Sequence, residues 1–140
     1  GDDYSALLIQ SISDRIAEAA AEWLHLQVRC HFWGYAENEA LSKEEILKEH
    51  YQGIRPAVGY PSLPDLSLIF DLNKLLNLSE IGISLTENGA MSPNASVCGL
   101  LFAHPQSSYF MIGKIDDEQR KNYAAQRGIT VEESTKWLPR

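Results

Sequence analysis

An α+β fold is what the sequence predicts, helices flanking a small antiparallel sheet, and three observations carry that expectation. Apolar residues recur at three- and four-residue steps through the N-terminal stretch. The pattern shortens toward period two after Ile83, and helix signals return from Asp116, with Gly128 as a C-cap and a capping box at Thr130. The 140 residues are 44% hydrophobic and 22% charged, enough apolar sequence for one core and one domain over residues 1–140.

The first helix is expected from Asp2 to Phe32. Leu8, Ile12, Ile16, Ala19 or Ala20, Trp23, Leu24 and Val28 form a single stripe, which predicts one buried face. Acids at its start suit the positive end of the helix dipole, and its length invites a bend. Gly1 looks like a cut end, because helical periodicity starts at once. Ser42 with Glu45 is a capping box that opens a short helix to about His50 or Tyr51. Gly53 to Pro64 holds three prolines and two glycines in twelve residues, so it is an extended loop. Asp65 is expected to cap a helix through Leu76.

Strands are expected at Ile83–Thr86, Ser96–Phe102 and Tyr109–Ile115, the last two joined through His104–Ser108 as a hairpin. Asp116 to Arg127 reads as a helix stopped by Gly128, and Thr130 with Glu133 as a second capping box for a short terminal helix.

Charge and motifs narrow the function. A balance of 12 Lys+Arg against 19 Asp+Glu, net −7, disfavours nucleic acid as a partner. No apolar run approaches the roughly 20 residues of a membrane span, so no membrane partner is expected. Cys30 and Cys98 lie far apart without a CxxC, which suggests a reduced, cytoplasmic protein without a metal site. No GxGxxG, Walker A, GxSxG or HExxH occurs, so generic catalytic machinery is not expected and no catalytic residue is assigned.

The Arg55–Pro64 loop is the informative segment. A proline-stiffened arginine is either a fixed fork for a carboxylate or phosphate, or a structural cap on a helix C-terminus. Gly59 would let the backbone approach a ligand, and Tyr60 offers a flat apolar face. Tyr109 and Phe110, adjacent on an expected strand, point to opposite faces, so one ring can face a ligand while the other enters the core; both can equally be ordinary core or surface aromatics. Glu18 and Glu49 are either solvated helix acids or ligand-facing carboxylates.

Tyr51-Gln52-Gly53-Ile54-Arg55-Pro56-Ala57-Val58-Gly59-Tyr60-Pro61 resembles the Arg-Pro-Ala-x-Gly-Tyr-Pro signature of the activation domain of cobalamin-dependent methionine synthase. Ala90 to Gly99, then Phe102, His104-Pro105, Ser107 and Tyr109, resembles the same family, as do Asp14 to Ala19 and Trp33-Gly34-Tyr35. Val58 stands where a second proline is usual and Phe110 where tyrosine is common.

The resemblance implies a C-shaped domain built on a bent antiparallel sheet, of which this chain is a C-terminal portion. It implies S-adenosylmethionine binding in support of reductive remethylation of cob(II)alamin, a methyltransferase function for which this chain alone is not sufficient. Arg55 would hold the methionine carboxylate. Ala57, Tyr60, Tyr109 and Phe110 would line the pocket, Glu18 and Glu49 would face the positively charged ligand, and Asp14 would meet the cobalamin domain. The cofactors implied are S-adenosylmethionine and a cobalamin held by a partner domain. The partners implied are that cobalamin-binding domain and a flavodoxin or similar reductase; Arg120, Lys121 and Arg127 on the late helix are either a basic docking patch for it or an ordinary solvated helix face. The alternative is a non-catalytic S-adenosylmethionine-binding or protein-interaction module of the same descent.

Overall fold

The computed structural model describes residues 2–139; Gly1, the expected cut end, lies outside them. Helix α1 spans Asp3–Gln27, with Asp2 accepting from the Ser5 amide at 3.0 Å as its N-cap. It passes directly into a π-helical turn, Val28–Phe32. The expected long helix therefore forms, and its irregularity is a change of winding at its end.

The apolar stripe of α1 is not buried. Ile16 is 64% exposed and Trp23 60%, with Leu8, Ile12 and Leu24 also exposed. The face turned toward the rest of the chain carries Asp14, Ala17, Glu18, Ala21, Glu22, His25 and Arg29, and of the whole element only His25 and Arg29 are fully covered. Alanines at 17 and 21 allow close approach on that side. The apolar side stays exposed, so the periodicity is helical but its covered face is the opposite one.

Helix α2, Lys43–Leu47, opens with the complete expected capping box between Ser42 and Glu45, followed by a turn in which Glu49 adopts φ 57. Residues 53–57 then run as extended chain, and 58–63 fold into a tight turn. Ile54 and Phe102 exchange both backbone bonds at 2.9 Å, Leu100 N donates to Pro56 O at 3.1 Å, and Val58 N donates to Cys98 O at 3.0 Å. This is an antiparallel ribbon, 54–58 against 98–102, interrupted where Pro56 has no N–H to give. Its backbones lie so close that a Cβ on Gly99 would meet Pro56 O at 2.5 Å, and one on Gly53 would overlap Phe102 O.

That ribbon explains where the strand expectations fail. Segment 98–102 is extended as predicted, but its partner is the Arg55 loop and not Tyr109–Ile115. The expected 96–115 hairpin is absent among the described residues. His104–Ser107 does turn, with Ser107 N on His104 O at 2.9 Å, yet Tyr109–Ile115 leaves it without a ladder. Phe110 is instead tied to Ser62, its amide donating to Ser62 Oγ at 3.1 Å. The named sheet is β1, Ser84–Leu85, paired antiparallel with β2, Met91–Ser92. The α+β class stands.

Helix α3, Leu68–Leu76, starts three residues after the expected cap. Asp65 is 1% exposed, and its Oδ1 accepts from Ser67 N at 2.8 Å and Ser67 Oγ at 2.6 Å, an Asx turn ahead of the helix. Its Oδ2 accepts from the Tyr123 hydroxyl and from Arg127 Nε on α4, Asp117–Arg127. Arg127 reaches Asp71 at 2.8 Å as well. Burial and the Asp65 carboxylate together push the Tyr123 hydroxyl well above its ordinary value.

Helix α4 is capped by Asp116 with Gln119 reciprocating, and ends at Gly128 with φ 66, as expected. Thr130 caps α5, Val131–Trp137, through the Glu133 amide at 3.0 Å. Arg120 donates to Ser134 O and Pro139 O at the end of α5. Arg120 and Arg127 are thus structural, and the expected basic patch reduces to Lys121. Ile69, Leu78, Ala124 and Leu138 form the core of this half, with Phe70 edge-on to Trp137. No helix among the described residues is long and apolar enough to cross a membrane.

Candidate functional site

Between α1 and the Arg55 ribbon lies an open cavity of about 860 Å³. Asp14, Ala17, Glu18 and Ala21 form its α1 wall, since steps of three and four bring them to one helix face. Arg55, Pro56, Ala57 and Val58 form the ribbon wall; Tyr60–Ser62 and Tyr109–Met111 close one side, and Asn94–Cys98 with Met91 the floor. Glu49 stands at the rim. Every residue to which the resemblance gives a binding role, Glu18, Glu49, Arg55, Ala57, Tyr60, Tyr109 and Phe110, therefore borders one space, and so does Asp14, the expected contact with the cobalamin domain.

The parts are held by specific bonds. The Tyr109 hydroxyl accepts from the Arg55 backbone N–H at 2.9 Å, pinning the ribbon to the distant 109–111 segment. Tyr60 and Phe110 are both exposed, so their rings line the surface instead of filling a core. Gly59 is not on the cavity wall. Its φ of +87 serves the tight turn in which Gly59 N donates to Leu63 O at 2.8 Å, so its need is conformational. Glu18 leans away to Arg15 at 2.7 Å, an exposed pair that constrains it weakly. Cys98 and Cys30 are free thiols, and burial raises the Cys98 thiol above its ordinary value.

Arg55 caps no helix. Its Nη2 donates to Glu22 Oε2 at 2.6 Å and its Nη1 to Tyr51 Oη at 2.7 Å, with His25 Nδ1 3.3 Å from the same Nη1. The arginine can only donate, so Nδ1 is the accepting nitrogen and the His25 proton sits on Nε2, directed to Tyr35 Oη at 3.3 Å. Burial first, then Arg29 and Arg55, depress the His25 pKa to about 4, and the ring is neutral. Burial pushes the Tyr51 hydroxyl up to about 12.

Behind this set, Arg29 grips Glu39 through Nε and Nη2 at 2.7 Å each and stacks over Tyr51 at 4.1 Å. Burial opposes its charge, but the Glu39 bonds outweigh burial and hold its pKa above the ordinary value. Sequence reasoning missed Glu22, His25 and Tyr51. The Asp14, Glu18, Glu22 spacing of four was the available signal for the first.

The site therefore has one guanidinium, a rim of carboxylates and an apolar shelf, a combination suited to a small zwitterion carrying a flat ring. Fold and cavity together define an α+β domain with a candidate ligand site. The family model described as the activation domain of vitamin B12 dependent methionine synthase matches residues 1–128, and the chain belongs to that family. A solved structure of the MetH reactivation domain bound to AdoHcy is 45% identical and superposes with a TM-score of 0.91. The match covers 97% of this chain and 42% of that one, so the chain spans less than half the length of this relative.

Proposed function

We propose that this chain binds S-adenosylmethionine in the cavity between α1 and the Arg55 ribbon, in support of reductive remethylation of cob(II)alamin by cobalamin-dependent methionine synthase. In this reading it acts as one domain, the C-terminal portion of an activation domain. The observation that carries it is the convergence of the Arg55, Tyr60, Tyr109 and α1 acid positions on one cavity with an arginine at its wall. Family membership and the AdoHcy-bound relative support it.

The residues divide the task by charge. Arg55 takes the amino-acid carboxylate, and Tyr60, Phe110 and Ala57 supply the surface for the rest of the ligand. Glu18 and Glu49 favour the positive sulfonium or amino group, and Asp14 stands on the α1 wall for the partner cobalamin domain. Cobalamin, held by that partner domain, supplies the cobalt centre that receives the methyl group. Such a transfer moves no proton, so positioning and charge are what this chain contributes, and catalysis requires the partner. An electron donor of the flavodoxin type belongs to the same reading, docked elsewhere than on Arg120 and Arg127, which are engaged internally.

Calorimetric titration with S-adenosylmethionine tests the proposal. Saturable heat that Arg55→Ala abolishes is the expected result. A folded chain giving no heat, or equal heat from the variant, would overturn it.

A further inference from the structure

Arginine has five N–H groups, and the structure accounts for most of those on Arg55. The two Nη1 hydrogens serve Tyr51 Oη and His25 Nδ1, and one Nη2 hydrogen serves Glu22. Among the described residues the Nε–H and the second Nη2–H have no protein partner, and the side chain remains 25% exposed at the cavity wall. Those are the two nitrogens through which Arg29, on the adjoining π-helical turn, takes both oxygens of Glu39. The same chain thus displays one arginine with both nitrogens of that edge closed on a carboxylate and another, on a cavity wall, whose Nε–H and second Nη2–H are left over.

We propose that Glu22, His25 and Tyr51 are positioning residues that fix the Arg55 guanidinium so that its Nε–Nη2 edge is presented to a ligand carboxylate. This rests on the binding reading above and deepens it. Each partner has a separate part. Tyr51 is buried, with its ring between Arg29 and His25, so its hydroxyl is a fixed acceptor. His25 is 0% exposed and accepts through Nδ1 because Tyr35 takes its Nε2–H, which makes the acceptor a matter of tautomer as well as place. Glu22 offsets the arginine charge through one Nη2 hydrogen and leaves the other, with the Nε–H, for a ligand. A guanidinium held at three points loses little conformational freedom on binding, and the bidentate geometry then selects carboxylate over a single acceptor.

The test compares two probes, S-adenosylhomocysteine and its decarboxylated analogue, titrated into the wild-type chain, Tyr51→Phe, His25→Leu and His25→Asn. Loss of one charge-linked hydrogen bond should weaken S-adenosylhomocysteine roughly three- to ten-fold in Tyr51→Phe and His25→Leu. The decarboxylated probe should stay within about two-fold, on the same reasoning. His25→Asn, whose Oδ1 stands in for Nδ1, should recover most of the loss. Equal weakening of both probes would mean a merely structural role, and no weakening of either would mean Arg55 needs no positioning; each overturns the proposal. A wild-type chain that binds neither probe overturns the binding reading itself, so the two failures are told apart. Tyr51→Phe keeps the buried ring and remains informative if the His25 variants fold poorly.

Discussion

Arg29 and Arg55 both contact Tyr51, and each is paired with a glutamate, yet they do different work. The Arg29–Glu39 pair has side chains 0% and 6% exposed and closes both carboxylate oxygens on one guanidinium edge. The Arg55–Glu22 pair is 25% and 30% exposed, uses one Nη2 hydrogen of an arginine that lines the cavity, and leaves its Nε–H without a protein partner among the described residues. A closed, buried pair joins the π-helical turn to the 35–39 loop, and removing one member strands the other's charge out of water. An open pair holds a cation ready for something else. The difference teaches that an arginine's job is read from which of its N–H groups are already used.

The comparison breaks most visibly at Arg29. Arg29→Ala should cost about 3–5 kcal/mol of stability in urea denaturation, because Glu39 is left buried and unpaired. A cost below about 1 kcal/mol, the range of surface pairs, would erase the distinction.

Acidification probes the histidine between the two arginines. His25 is flanked by Arg29, Arg55, Glu22, Tyr35 and Tyr51. Its pKa is about 4 in the fold against 6.5 when unperturbed. A depressed folded value means stability is fully present above pH 6.5 and is lost as pH falls toward 4. The linkage is on the order of 2–4 kcal/mol. Denaturation midpoints across that window should show the loss, and subtraction of the His25→Asn profile should isolate it. Identical profiles would mean His25 is not buried neutral.

At Arg55 the expectation is reversed. Arg55→Ala should cost only about 1 kcal/mol in stability, while removing measurable binding of a carboxylate-bearing ligand. Equal losses at Arg29 and Arg55 in both assays would make the two residues equivalent.

The smallest effect is expected at the cavity rim. Glu49 holds φ 57 without being glycine. Glu49→Gly should leave stability unchanged or raised by up to about 1 kcal/mol, since left-handed backbone disfavours a Cβ. It should also weaken a cationic ligand, and a clear loss of stability would assign Glu49 a structural bond instead.

Local features were legible in the sequence and distant pairings were not. Ser42 with Glu45 and Asp116 with Gln119 close their own helices, so a few neighbouring residues sufficed to find those starts. The prolines of the Arg55 loop correctly forbade a regular central strand. Nothing local shows that 98–102 prefers 54–58 to 109–115, because that choice depends on chain segments brought together only by folding. Period on α1 likewise revealed a helix but not which side faces the chain. The candidate site residues came from the resemblance, Arg55, Ala57 and Tyr60 among them through the Arg-Pro-Ala-x-Gly-Tyr-Pro motif, while Glu22 and His25 lie far from it in sequence and meet Arg55 only in three dimensions. Asp65 was read as a helix cap, and its bonds to Tyr123 and Arg127 likewise required the fold.

The most direct test of the central claim is a residue-by-residue amide NMR titration of the chain with S-adenosylhomocysteine. Perturbations concentrated at Arg55, Ala57, Tyr60, the 94–98 floor and Tyr109–Met111, and absent in Arg55→Ala, are what the cavity predicts. Perturbations confined to the exposed apolar face of α1, around Ile12 and Ile16, would place binding elsewhere and contradict it.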